Sequence, residues 1–232
     1  CDCSPEFVKG KSEAGHRGDM IVLFDWIVGQ IDKTLDELGY KENTLFIVTS
    51  DNGAKNQNYN GKDYGHKPNG IYRGQKADIW EGGHRIPLVT RWPGKIPKKV
   101  RCNNVVGLID MYATFAAIIR ASITDGYGED SVNILPSLLD PQNVKSDRKE
   151  IVHHSSRGLF AFRQNEWKLV FGLGSGGATR PSSKIHFPWQ PKGQLYNMKN
   201  DVRETTNIYQ GNPKIVSSME KEFVKYGNTL EY

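Results

Sequence analysis

The apolar run Thr44-Leu45-Phe46-Ile47-Val48-Thr49 constrains this chain most, because it has no polar alternation that would leave one face in water. A run of that kind predicts a strand buried on both faces, as found in parallel sheets covered by helices. The preceding residues supply a helix. From Asp19, apolar side chains recur at Met20, Leu23, Phe24, Ile27, Ile31, Leu35 and Leu38, in steps of three and four. Gly39 is placed to end that helix. Helix, short turn and buried strand make one piece of an α/β repeat.

Downstream, Ile86-Pro87-Leu88-Val89-Thr90 predicts another strand, closed by Trp92-Pro93-Gly94. Residues 110–119 predict a helix with Asp110 near its start, and the short apolar piece within 131–139 ends at Asp140-Pro141. Past about residue 145 the pattern changes. Residues 151–154, 159–163 and 167–171 predict consecutive strands, with Asn165-Glu166 as a turn between the last two. A glycine-rich connection over 172–177, a strand at 194–197 and a helix over 213–226 complete a small antiparallel sheet with a helix. The expected organisation is an α/β part over 1–145 and a smaller α+β subdomain over 146–232.

At 232 residues, 37% hydrophobic and 10% aromatic, the chain can bury a core and is not a disordered one. No apolar run approaches the ~20 residues that span a bilayer. The start Cys1-Asp2-Cys3-Ser4-Pro5 is polar, so no signal peptide is visible, and it reads as a start inside a longer polypeptide or a processed one. The net charge of +5 suits anionic substrates. Part of it lies in the solvated-looking cluster Lys95, Lys98, Lys99 and Arg101. Nucleic-acid binding finds no zinc-finger spacing, aromatic RNA signature or sustained basic helix. Three cysteines, Cys1, Cys3 and Cys102, make no framework; one disulfide is possible and the redox compartment stays open.

Asp51 and Asn52 follow the buried strand directly, and in open α/β sheets ligands bind beyond the carboxyl ends of strands. A carboxylate and an amide oxygen are hard donors suited to Ca²⁺ or Mg²⁺. The tripeptide Asp51-Asn52-Gly53 also suits a turn with no ligand. Residues 53–75 contain five glycines and little periodicity, which predicts a long functional loop. After it, Lys76 can present an ammonium to an anion as a compact point charge. Glu81-Gly82-Gly83-His84-Arg85 reads as a tight turn into a strand, with Glu81 and Arg85 in supporting roles, paired with each other or with the loop. His66 and His84 lie near enough in sequence to approach a substrate. His153 and His154 suit a structural role, and His16 and His186 have no supporting context. HExxH, paired CxxC and GxSxG motifs are absent, which weakens zincin, zinc-ribbon and α/β-hydrolase readings.

Taken together, these stretches resemble the type I sulfatases, the formylglycine-dependent branch of the alkaline phosphatase-like superfamily. The resemblance rests on Gly18-Asp19 with its helix, the segment 43–53, Gly70-Ile71-Tyr72-Arg73-Gly74-Gln75-Lys76, Trp80-Glu81-Gly82-Gly83-His84-Arg85-Ile86-Pro87 and Arg91-Trp92-Pro93-Gly94. It continues in Asp110-Met111-Tyr112-Ala113-Thr114, Trp167-Lys168-Leu169, Leu195-Tyr196-Asn197, Glu204 and Asn207. The resemblance implies a partial alkaline phosphatase-like sandwich, mainly a parallel sheet with helices on both faces. It implies Asp51 and Asn52 as calcium ligands, with magnesium as an alternative, and Lys76 as the lysine that binds the sulfate and its leaving oxygen. The implied substrate is a sulfated small molecule or carbohydrate, and the implied setting is periplasmic or extracellular.

The departures are equally specific. The formylglycine motif has Cys or Ser, Pro or Ala two positions on, and Arg four positions on. Cys3-Ser4-Pro5-Glu6-Phe7 imitates its start, yet Phe7 stands where Arg belongs. No Asp-Asp pair occurs, and the histidine and lysine expected between nucleophile and helix are missing. The sequence is therefore expected to be the C-terminal half of a sulfatase-like protein, partnered by its N-terminal half and inactive alone. Two other readings remain: a phosphatase or phosphodiesterase of the same superfamily, and a non-catalytic domain binding anionic carbohydrate or a protein partner.

Overall fold

The computed structural model describes residues 4–56, 62–145, 147–183 and 187–226. Cys1, Cys3 and His186 lie outside them; Cys102 is a free, exposed thiol. No described helix is long and apolar enough to cross a membrane.

The first helix, α1, runs Gly15–Glu37, with Leu38 as its cap and Gly39 at a φ of 71°. At its start the Asp19 carboxylate accepts the backbone N–H groups of Gly10 and Ser12 at 2.9 and 3.0 Å, tying the incoming chain to the helix. The Gly10 bond leads the contributions that hold Asp19 below the usual carboxylate range. The predicted apolar stripe forms, but Met20, Phe24, Ile27 and Ile31 stay exposed.

Strand β1 (Phe46–Thr49) pairs with β2 (Leu88–Arg91), in the register Phe46↔Arg91 to Thr49↔Leu88. This corrects two details of the sequence reading. The pairing is antiparallel, and all four β1 positions are only partly buried. An unalternating apolar run reports that two faces need covering; it carries no information on the direction of the neighbouring strand. Between these strands lies a four-residue helix, α2 (Glu81–His84), where a tight turn was expected. Helix α3 (Met111–Ile119) follows a 3₁₀ turn, and α4 covers Leu135–Leu139. Asp110, fully buried at the entry to α3, pairs with Arg148 and accepts the backbone N–H groups of Gly107 and Val132.

The second sheet has the order β3-β4-β5-β6, every pairing antiparallel: Glu150–His154, Phe160–Gln164, Trp167–Val170 and Gln194–Asn197. Asn165, at a φ of 53°, makes the β4–β5 turn, as an Asn in a two-residue hairpin loop does. Side chains alternate across a strand, so this sheet has two distinct faces. One carries Phe162, Leu169 and Leu195, covered by Val216, Met219 and Phe223 of α5 (Pro213–Phe223). Those three recur at helical spacing, and Phe223 stacks on Phe171 with ring centroids 4.1 Å apart. The other face carries Ala161, Val170 and Tyr196 and packs against Ile79 and Trp80. The whole is a partial α/β fold joined to a small antiparallel sheet, as the sequence predicts.

Candidate active site

At the end of β1 the chain turns through Asp51 and Asn52 into Gly53. Gly53 must be glycine for a steric reason: a Cβ there would stand 1.8 Å from the Gly82 carbonyl oxygen. This close approach is locked by the Gly53 N–H donating to the Gly83 carbonyl at 2.9 Å. One residue on, the Lys76 N–H donates to the Ala54 carbonyl at 3.1 Å. Two adjacent backbone bonds therefore set the Asp51–Ala54 turn beside both Lys76 and α2. The long loop folds back through Asn69, whose amide bonds Ala54 from both sides, accepting its N–H at 2.9 Å and donating to its carbonyl at 2.7 Å.

Asp51 is exposed, and its carboxylate meets the Ser50 hydroxyl at 3.4 Å. Neither the Asn52 side chain nor the Lys76 ammonium has a partner among the described residues. Two hard oxygen donors without a competing cation fit a calcium-type ion, as part of a donor set. No group of three or more His, Cys, Asp or Glu converges as a metal site among the described residues. Next to Lys76, Ala77 has a φ of 84°, a conformation costly for a residue with a Cβ. It is held there by the Ser156 N–H, which donates to its carbonyl at 3.0 Å.

Behind α2 lies a buried charge cluster that the sequence reading did not find. Lys168 is fully buried on β5, with its ammonium 2.8 Å from Glu204 and 3.2 Å from Glu81. Glu81 also pairs with Arg85 at 3.1 Å, the partnership expected from sequence, and with Arg163 at 3.7 Å. Burial works against the Glu81 carboxylate, but Lys168, Arg163 and Arg85 outweigh it and hold its pKa down. Glu204 faces fewer cations, and burial pushes its carboxyl up. Its second oxygen accepts the Glu81 N–H at 2.6 Å, so the subdomain directly fixes the start of α2. The missed signal was strand parity. Arg163, Lys168 and Tyr196 pair across β4, β5 and β6 and share the sheet face that meets Ile79 and Trp80.

The histidines separate. His66 is exposed in the loop. His84 packs on His153 of β3, ring centroids 4.3 Å apart, and the Nε2 atom of each is buried without a hydrogen-bond partner. Burial, reinforced by Lys168, lowers His84 to about 4 and His153 well below its ordinary value. Glu81 and His154 also act on His84, and Arg163 on His153. Unfolded, each ring takes a proton below about pH 6.5; folded, it resists, so the neutral pair stabilises the fold in full above 6.5 and loses that contribution as pH falls toward 4. The His84 ring is expected to remove roughly 1–2 kcal/mol of unfolding free energy between pH 6.5 and 5, and His153 acts in the same direction. Glu204, with its raised pKa, acts in the opposite sense. Urea unfolding of the chain and of an H84Q/H153Q variant at both pH values isolates the histidine part; equal slopes would refute it.

The sulfatase family model matches residues 3–121, just over half of the chain, and the chain belongs to that family. It is similar to the N-acetylgalactosamine-6-O-sulfatase of Bacteroides thetaiotaomicron, 33% identical over 223 residues, which cover 94% of this chain and 42% of that protein. It is also similar to the steryl-sulfatase of Rattus norvegicus, 39% identical over 153 residues, covering 65% of this chain and 26% of that one. A solved Bacteroides thetaiotaomicron structure, from work on the metabolism of multiple glycosaminoglycans, matches with a TM-score of 0.84 at 30% identity. It covers 95% of this chain and 46% of its own. The fold is thus the partial alkaline phosphatase-like α/β fold of sulfatases, and the chain spans about two fifths or less of these curated relatives. Catalysis in this family is metal-dependent in general terms.

Proposed function

We propose that the chain is the C-terminal part of a sulfate-ester hydrolase, contributing one side of its pocket. Asp51 and Asn52 supply two oxygen donors to Ca²⁺, with Mg²⁺ as the alternative, and Lys76 holds the sulfate and its leaving oxygen. His66, exposed in the loop, reaches the substrate; His84 lines the site from behind, against His153. The paired backbone bonds Gly53–Gly83 and Ala54–Lys76 carry this reading, because they put oxygen donors and an unpartnered ammonium on adjoining segments. A bound calcium ion would neutralise charge on the sulfate oxygens.

In this reading the formylglycine nucleophile and the remaining metal donors come from sequence beyond these 232 residues. That sequence covers the bare apolar side of α1, and residues 1–145 and 146–232 act as two parts of one scaffold. The substrate is a sulfated small molecule or carbohydrate, in keeping with the names of the relatives. Chelation is expected to abolish turnover of a sulfate ester by the complete protein and added Ca²⁺ to restore it. The isolated chain should show none. Tightly bound zinc in the active complete protein, or turnover by the purified chain alone, would overturn the assignment.

A further inference from the structure

A cleft of about 280 Å³ opens beside β6. Arg73, Trp80, Gln194, Tyr196, Pro191 and Asn207 contribute to its wall. Most of the polar groups there are already committed. The Gln194 side chain donates to the Gly172 and Gly174 carbonyls, each at 2.9 Å, and accepts from Trp80 Nε1 at 3.0 Å and from the Tyr196 hydroxyl at 2.7 Å. Asn207 accepts the Leu195 N–H and donates to the Gly193 carbonyl, both at 3.0 Å. The wall is rigid and offers few competing donors.

Arg73 is the exception. Its guanidinium lies 3.7 Å over the Trp80 ring and uses one terminal nitrogen to reach the Glu204 carbonyl at 2.7 Å and the Tyr196 hydroxyl at 3.2 Å. Its Nε and other terminal nitrogen have no partner among the described residues. That leaves an immobilised half of a guanidinium fork, the geometry that takes a carboxylate or sulfate with two parallel hydrogen bonds. Among the described residues, the cleft wall contains this one cation and no carboxylate.

Beside the cleft, in the segment that supplies Gln190 and Pro191 to its wall, Phe187 and Trp189 stack with centroids 5.1 Å apart and planes 10° apart. They are 47% and 72% exposed. The Trp189 carbonyl accepts the Gln210 side chain at 2.9 Å, which holds the backbone of the pair. Two stacked rings left largely in water, the outer one of them Trp189 at 72% exposure, offer a flat apolar ring face, and such surface marks a binding site more often than idle exposure. A pyranose ring has the matching shape, one flat C–H face edged by hydroxyls.

We propose that this cleft and platform form a subsite for an anionic saccharide unit, sulfated or carboxylated, with its charge on Arg73 and its ring on Phe187 and Trp189. Arg73 and Lys76 are three residues apart, so their backbones lie within about 11 Å. The subsite would thus hold a neighbouring unit of the chain whose sulfate reaches Lys76. As a statement of substrate class it rests on the hydrolase reading; as a statement of binding it does not.

The test is calorimetric titration of the chain with a chondroitin 6-sulfate hexasaccharide, beside W189A and R73Q. The wild-type chain should bind with an affinity that falls as salt rises, and W189A should weaken binding about tenfold, as loss of an exposed aromatic anchor does. R73Q should weaken it and flatten the salt dependence; because Arg73 also packs, its near-ultraviolet dichroism is compared with wild type, and W189A carries the test if that spectrum changes. Unaltered affinity in W189A, equal binding of the neutral chitin hexasaccharide, or Trp189-dependent self-association without saccharide binding would each overturn the proposal. Retained saccharide binding in a complete protein that hydrolyses no sulfate ester would instead remove the hydrolase reading and leave the subsite standing.

Discussion

Lys76→Ala in the complete protein is expected to lower kcat/KM for a sulfate ester about 10²–10³-fold, the loss typical of removing one preorganised charge from a transition state. The expectation follows from what Lys76 does not do. Its ammonium is exposed and has no partner among the described residues, so truncation removes no hydrogen bond or ion pair that holds the fold. Only its backbone N–H is engaged, by Ala54, and alanine keeps that bond. The denaturation midpoint should therefore stay within error of wild type while turnover collapses. Unchanged turnover would point to the non-catalytic reading, and a large drop in midpoint would make Lys76 a structural residue.

Lys168→Met should have the opposite profile, a cost of about 3–5 kcal/mol in stability, because it leaves two carboxylates buried around a missing cation. Glu81 keeps Arg85 and Arg163, but Glu204 keeps no side-chain cation within 4 Å among the described residues. Replacing Glu204 as well, in K168M/E204L, should recover a good part of the loss, since an apolar pair of similar volume has no charge to desolvate. Glu204 also receives the Glu81 N–H, so recovery should stop short of wild type. Urea unfolding of the wild type and the two variants decides it. A single-variant cost under about 1 kcal/mol would mean that water reaches the cluster.

The sequence read the secondary structure well where periodicity is local. The β6 reading matches residue for residue, the Asn165 turn is where it was expected, and α5 begins at Pro213 and passes into a 3₁₀ turn near 224–226. Helix α1 was legible from its stripe, four residues late at the start. What failed to show was anything decided by distant residues. The direction of the β1–β2 pairing depends on a partner some forty positions away. The charge cluster at Lys168 had no local signal, because its two carboxylates stand 87 positions before it and 36 after it. Asp51, Asn52 and Lys76 were singled out from residue type and order, and the structure sets their segments side by side. His66 and His84 were read alike, yet one lies in an open loop and the other against His153. No local pattern distinguishes those two surroundings.

The brace behind α2 also has a consequence in time. Glu81 and Glu204 are 123 positions apart, and Arg73 reaches the Glu204 carbonyl across 131. Contacts of such separation form late, after the entropy of closing a long loop has been overcome. A ribosome making this protein would release Asp51, Asn52 and Lys76 more than a hundred residues before the carboxylate that braces α2 exists. Until Glu204 has been made, the segments around α2 lack the contact that fixes them. A product truncated before Glu204 lacks this brace, and the start of α2 should stay unfixed in it however well its helices form.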